Sequence, residues 1–586
     1  MDQQDIATAL SLETPSTRRG VDLAWLDRSH RAPRRFFSAL HDVLGQVAHP
    51  GPKSAPDRGF DLYHDLVLRH VGAGRSALRF YDEHAPARRR WTVMSFDELH
   101  ARASLRAAAW SSQGVEPGAI VAVVAPFEPE CIISLLSGLR LGACVSFLEP
   151  GGPDYLGPRL AALAPQYIAS APFHVPLLGD LPALGAELLN DDEPGTRLHA
   201  GSHSYLAHER CALLFSPLRP AALQPVPILA EAAYFGALRD GAVSLALRPG
   251  DRLAAPGFAT LQHQPALLFA SLIMGATWVQ ITAKQVIADP NRLADVPLRS
   301  LGLTAPVREA FASAALESRP RWAHIFKNPE EPSDWEAWRE FVELLDLHDT
   351  PMSNLLIDAA SGGSLLASAR QPGKVWLGAC SQITAAAGRP WVLLDLTGSG
   401  QPAVGDVGVF APLEGVNDEG DEGVASALRY VVMGRRRGIE YLYGGTIEPR
   451  RCGRLFPAQE ITDTLGDCPF LPGGASIVAV PAGGATLEYR FVLVGFTGAE
   501  SNERFTATAQ RRINEISRVL ATRLSVDHLP DRIELFACYA RRRDGEVDHR
   551  WCREQYLAGL LYRKQRHPIF HSLTALRGAL IRPAVS

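Results

Sequence analysis

Cys211, Ser216 and His263 put a thiol, a hydroxyl and an imidazole in one segment, and each could begin covalent chemistry. A nucleophile needs a base and an orienting group beside it. The sequence offers none of the local frames that arrange this: no GxSxG elbow, no HExxH pair and no HHxxxDG-like run. Eight cysteines are scattered without a CxxC pair or a His/Cys group at zinc spacing, which reads as thiols in a reducing compartment and no metal site. Phosphate chemistry fares no better. A triphosphate is cradled by backbone N–H groups that glycines let it approach, together with a cation. Between Ser202 and Phe235 there is no glycine, and Pro217, Pro220 and Pro225 remove N–H groups from the loop Ser216–Val226. Lysines are confined to Lys53, Lys284, Lys327, Lys374 and Lys564, so a lysine-dependent mechanism must draw on these five. Carboxylates gather in Glu414–Gly423, which holds Asp418 and Asp421. Trp391–Leu396 followed by Gly398-Ser399-Gly400 imitates a strand leading into a dinucleotide loop, but Pro402 follows and no helix opens, so a hairpin is expected.

The chain that must position these groups has 586 residues, 46% of them hydrophobic, enough for two or three domains with sizeable cores. A net charge of -4 argues against a general nucleic-acid binder. Met1–Leu12 is polar and acidic, so no secretory signal is expected. Pro265–Ile281 contains Gly275 and falls short of the ~20 residues a membrane span needs. The expected location is cytoplasmic.

Residues 1–58 read as a leader with the basic run Arg28–Arg35 beside Phe36 and Phe37. It is either a solvated extension packing loosely on the body or a docking segment for a partner protein. Beyond it, Ser95 and Glu98 frame a capping box for an alanine-rich helix that ends at Gly114. Ala119–Ala125 is a continuous run suited to a strand buried on both faces. A helix over Glu130–Leu141 and a strand over Ala143–Leu148 follow. This β-α-β order predicts an α/β fold with much parallel sheet. A smaller α/β pattern closes the chain: strands at Ala475–Val480, Tyr489–Val494 and Arg532–Ala537, and a helix over Ala507–Leu524. The expected boundary is near Gly434, giving a leader 1–58, a large domain 59–433 and a small domain 434–586.

Several phrases in order carry a resemblance: Trp91–Leu99, Gly114-Val115-Glu116-Pro117-Gly118, Leu139–Ala143, Gly275-Ala276-Thr277-Trp278-Val279, Gln401–Gly408, Leu529-Pro530 and Arg542–Arg550. From about Phe60 to about Leu560 the chain resembles the adenylate-forming superfamily of acyl-CoA synthetases, adenylation domains and luciferases. Gly434–Gly438 followed by Phe456-Pro457-Ala458-Gln459-Glu460-Ile461 is most similar to fatty acyl-AMP ligases, with about eight extra residues between. The resemblance implies a large N-terminal AMP-binding-like domain and a small C-terminal α/β domain rotating on a hinge. It also implies activation of a carboxylic acid with Mg-ATP to an acyl adenylate, often followed by transfer to coenzyme A or a carrier protein.

The chemistry implied by that family is missing where it should be densest. The phosphate loop falls on Ser216–Val226, with Ser216 and Arg219 as its polar members and Gln224 in place of lysine. The closing lysine, which bridges the acyl carboxylate and the α-phosphate, is Glu546. A unit-charge contact at 4 Å is worth about 4 kcal/mol at an effective dielectric of 20, so reversing its sign costs more than losing it. The metal-linked glutamate has no counterpart; Asp358 is either a magnesium ligand or a buried turn residue. The adenine-packing glycines give way to Phe326-Lys327-Asn328. Asp418 or Asp421 could keep the ribose role, and His263 falls near the acyl pocket, as a wall or as a core histidine.

The expected function is therefore a protein of this fold that no longer makes acyl adenylates. It would bind an acyl group, an acyl thioester or a carrier protein, with no cofactor. Two alternatives stand beside it: an active ligase using ATP and Mg with arginines for lysines, or an ATP-independent acyl-transfer or condensation enzyme.

Overall fold

The computed structural model describes the chain apart from residues 1–20, 22, 48–50, 56, 84, 86–89, 179–184, 191–200, 216–222, 259–262, 330–334, 371–382, 390, 396–402, 404–405, 413–428, 437–438, 444–449, 452–453, 482–488, 565–569 and 574–586. Two helices come first, α1 (Leu23–Arg31) and α2 (Pro33–Val47). Phe36, Leu40, Val43 and Leu44 recur at helical spacing and are buried with Trp25 and Leu26 in the main core. The Ser29 hydroxyl accepts the Gly388 N–H at 2.9 Å, and Phe37 packs on Phe235 with ring centroids 4.9 Å apart. This part of the leader is thus body rather than a loose extension. Arg28, Arg34 and Arg35 of the basic run occupy its outer face.

Helix α3 (Phe96–Ser112) starts at the expected capping box: Ser95 Oγ accepts the Glu98 N–H at 3.1 Å, and Glu98 accepts the Ser95 N–H at 2.7 Å. It packs against α4 (Pro129–Leu141). The two serve a six-stranded sheet ordered Glu187–Leu188, Tyr167–Ser170, Ile120–Val124, Cys144–Leu148, Arg210–Leu214 and Val226–Leu229, parallel except for the last pair. Val121 to Val124 are buried on both faces, as their unbroken apolar run requires. Helix α5 (Pro153–Leu163) follows the second of these strands in sequence, and α6 (Ala230–Arg239) runs into a π-helical turn, Asp240–Ser244.

A second sheet has thirteen described strands. Its parallel part is ordered Ser76–Tyr81, Thr277–Gln280, Arg252–Ala254, Ser300–Gly302, Ile325–Lys327 and Met352–Asp358. Antiparallel strands extend it, and Trp391–Asp395 pairs antiparallel with Val407–Pro412, the hairpin arrangement expected there. Gly434 lies inside the strand Arg429–Arg436, which pairs with Ile439–Tyr443 in this same sheet.

The last part contains α7 (Ala458–Thr464), α8 (Asn502–Arg523) and a four-stranded sheet of Gly474–Pro481, Tyr489–Phe496, Arg532–Phe536 and Phe570–Leu573. Helix α8 begins five residues before the expected start at Ala507, because Ser501 caps it by accepting the Arg504 N–H. Among the described residues, no helix is long and apolar enough to cross a membrane.

Candidate functional site

Strand Met352–Asp358 ends in a tight turn, Ala359–Ser361, and the chain reverses through Gly362 (φ 72°) and Gly363 (φ 109°). Positive φ at both positions is what their glycines permit. Asp358 is fully buried and accepts the Ser361 hydroxyl at 2.7 Å. Two buried arginines hold the turn from outside. Arg389 donates to the Ser361 and Ser364 carbonyls, and Arg239 donates to the Gly362 carbonyl at 3.2 Å. Arg239 also pairs with Asp240 at 2.8 Å, and Asp240 accepts the Ser364 N–H at 2.8 Å. Helix α6 lies so close that a Cβ on Gly236 would fall 1.9 Å from the Gly362 oxygen. The charges around this turn are therefore spent on the protein's own backbone.

Beside it, strand Ile325–Lys327 runs parallel to Met352–Asp358, with Phe326 opposite Ser353 and Lys327 opposite Asn354. Phe326 is fully buried and its ring lies 5.0 Å from that of Phe258. Phe258 in turn meets His263 edge-on at 4.7 Å, so His263 is a packed, buried histidine. A Cβ on Gly302 would lie 2.7 Å from both phenyl rings. Phe258, His263, Phe326 and Gly302 fill this space as core.

No protein-family model matches the chain, and no curated protein matches it in sequence. Solved structures do match. A fatty acyl-adenylate ligase from L. pneumophila, in complex with acyl adenylate and pyrophosphate, is 13% identical with a TM-score of 0.57, over 87% of this chain and 97% of that one. A double mutant of o-succinylbenzoate CoA synthetase from Bacillus subtilis is 12% identical with a TM-score of 0.60, over 88% and 99%. An artificially fused adenylation-PCP di-domain from Klebsiella oxytoca is 15% identical with a TM-score of 0.57, over 81% and 85%. The chain has the adenylate-forming fold. It has the large N-terminal and small C-terminal parts of that fold, and at these identities the likeness is one of architecture.

The remaining candidates are placed as follows, where they are described. Gln224 is exposed just before strand Val226–Leu229. Ser216, Arg219, Asp418 and Asp421 lie outside the described residues. Glu546 is exposed on a hairpin, paired across from Arg543, with Asp544 (φ 53°) and Gly545 (φ 90°) making the turn. Lys53 is committed to buried Asp61 at 2.7 Å, and Lys327 is buried beside the aromatic cluster. Cys211 is buried, which pushes its thiol well above the ordinary range and makes it a poor nucleophile. Among the described residues, no group of three or more His, Cys, Asp or Glu could hold a metal ion.

Sequence reasoning missed the charged residues that matter most to this geometry. Arg239, Asp240 and Arg389 carry no motif. Their only local signal is the pair of glycines at 362 and 363. Arg159 also carries no motif, and nothing in the phrase Phe456–Ile461 points from Glu460 to it; the two are 301 residues apart and form a two-pronged ion pair at 2.9 and 3.0 Å.

Proposed function

We propose that this protein of adenylate-forming fold has lost ATP-dependent acyl activation and works by binding an acyl group, an acyl thioester or a carrier protein, as an accessory or scaffold. Phe326 carries the reading. It belongs to the run Phe326-Lys327-Asn328 near which the resemblance implies the adenine-packing glycines, and its buried ring packs against Phe258. Planar base and phenyl ring would compete for one space, and close packing leaves no slack to share it. Asp358 supports the same reading, because its carboxylate is already engaged by Ser361. The fold neighbours fit the proposed ligands: one holds an acyl adenylate and another is fused to a PCP.

The accompanying proposals are a cytoplasmic location and a small domain that starts after Tyr443, once the thirteen-stranded sheet is complete. A partner meeting the leader would meet the exposed Arg28, Arg34 and Arg35.

Calorimetric titration of the full chain with Mg-ATP, with AMP alongside, tests the reading. No binding up to millimolar nucleotide is expected. Micromolar binding, followed by pyrophosphate exchange with any carboxylic acid, would overturn it in favour of a ligase relying on Arg219 and Arg542 or Arg543.

A further inference from the structure

Among the described residues, the small C-terminal part meets the body at a junction whose chemistry is unusually complete. The N-terminus of α5 faces the C-terminus of α8 end to end. The Gly152 N–H donates to the Leu524 carbonyl at 2.6 Å. A Cβ on Gly152 would lie 2.0 Å from the Thr522 oxygen, and one on Gly151 would lie 2.9 Å from the Leu524 oxygen. Only glycine lets these two backbones approach so closely, and the free N–H of one helix start satisfies a carbonyl of the other helix end.

Side chains close the junction on both sides. Asp154, in the first turn of α5, bonds Arg523 of α8 at 2.9 Å and accepts the Thr464 hydroxyl of α7 at 3.0 Å. One turn on, Arg159 forks onto Glu460 of α7 and lies over the Tyr155 ring at 3.9 Å. His528 stands 3.8 Å from Glu460 and edge-on to Tyr155, and Ser525 orients it at 2.8 Å. Burial alone would raise the Glu460 pKa, but His528 and Arg159 outweigh it and bring it down to about 2. Arg159 also reaches toward Phe215, 6.0 Å away and the last described residue before the proline-rich loop.

We propose that this junction is a latch that fixes the small C-terminal part in one orientation at the base of the proline-rich loop, so that the rotation implied by the resemblance does not occur unless the latch is broken. An end-to-end helix contact tolerates translation poorly, because a shift of one residue loses the Gly152 hydrogen bond and brings the Thr522 and Arg523 backbone into the Gly152 Cα. Two ion pairs to different helices, Asp154 to Arg523 of α8 and Arg159 to Glu460 of α7, resist rotation about that contact. The inference is independent of nucleotide binding.

The test is a distance measurement between spin labels on the full chain, attached at Leu105→Cys on the body and Gln510→Cys on α8, both exposed sites. Cys380, Cys452 and Cys538 are replaced by serine to limit background labelling. A single narrow distance is expected, unchanged by Mg-ATP, and a second population is expected in Gly152→Leu combined with Glu460→Gln. A broad or double distribution in the parent chain would overturn the latch, as would a single distance in the double variant. Should the double variant fail to fold, hydrogen exchange at the Gly152 amide decides. It is expected to be protected in the parent and several-fold faster in Arg523→Gln. Unprotected exchange in the parent, or no change in Arg523→Gln, would sink the idea. A chain that binds Mg-ATP yet keeps one narrow distance would retain the latch and lose the proposed function.

Discussion

The loop Ser216–Val226 and the junction between α5 and α8 use glycine in opposite ways. The loop segment has no glycine from Ser202 to Phe235, where a ligand would need close backbone approach. The junction has Gly151 and Gly152 where the protein's own backbone needs it. Buried charge shows no such division between the Asp358 turn and the junction. Around Asp358, carboxylates and guanidinium groups are taken up by Ser361, Ser364 and Gly362. At the junction, Arg159 and Glu460 bind two parts of the chain together. In both places the polar chemistry faces inward, toward the chain itself.

Arg159→Met gives the harshest test of that contrast. It removes the two-pronged partner of a largely buried carboxylate and leaves Glu460 facing only His528, a loss of up to about 3–5 kcal/mol. Calorimetry should show the small C-terminal part unfolding in a separate, earlier transition. A single transition at the parent temperature would mean the junction contributes no more than an exposed ion pair.

Acid should act on the same pair. The Glu460 carboxyl has a folded pKa of about 2, below its ordinary value of 4.5. Its contribution is therefore present above the ordinary value and lost as pH falls from about 4.5 toward 2. The groups facing it are Arg159 from α5 and His528 from the turn after α8, with Asp154 and Arg523 alongside. The full linkage is on the order of 3 kcal/mol. Unfolding followed against pH should show this loss in the parent and a much smaller one in Glu460→Gln.

Gly152→Ala sharpens the comparison further. The backbone there is ordinary (φ -73°), so the substitution brings no conformational strain of its own. Its methyl meets the Thr522 carbonyl instead, an overpacking cost of about 1–3 kcal/mol. Urea titration should register it, whereas Gly157→Ala, with nothing within 4 Å of the added methyl, should leave stability unchanged or slightly raised.

How much of this could be read beforehand depended on the range of each signal. The Ser95–Glu98 capping box and the Val121–Val124 strand were legible because their causes lie within a few residues. The described leader was misjudged because the basic run dominates its sequence, while Phe36, Leu40, Val43 and Leu44 supply a buried face underneath. Gly434 looked like a boundary from its flanking glycines and arginines, yet its strand is stabilised by pairing with Ile439–Tyr443. At the candidate site, the absence of glycine and lysine was legible, but what replaced them was not. The Phe258–Phe326 contact and the Arg159–Glu460 pair join residues far apart in sequence, and no local spacing encodes such contacts.

Glu546→Lys should have the smallest effect and bears on the other side of the comparison. The residue is exposed on its hairpin, so a stability change within about 0.5 kcal/mol is expected. The substitution restores the residue type that the resemblance places there, and with it the favourable sign toward two anions. On the proposed function no ligase activity should follow, because a closing cation can only stabilise a nucleotide that the body has already bound. On the proposed reading, Phe326 stays packed in the run where the resemblance implies adenine-packing glycines, Asp358 stays engaged by Ser361, and the loop stays without glycine. Pyrophosphate exchange in Glu546→Lys, measured over a panel of carboxylic acids, should match the blank. Exchange above the blank would mean that the hairpin alone had been limiting, and that the body retains a nucleotide site despite its packing.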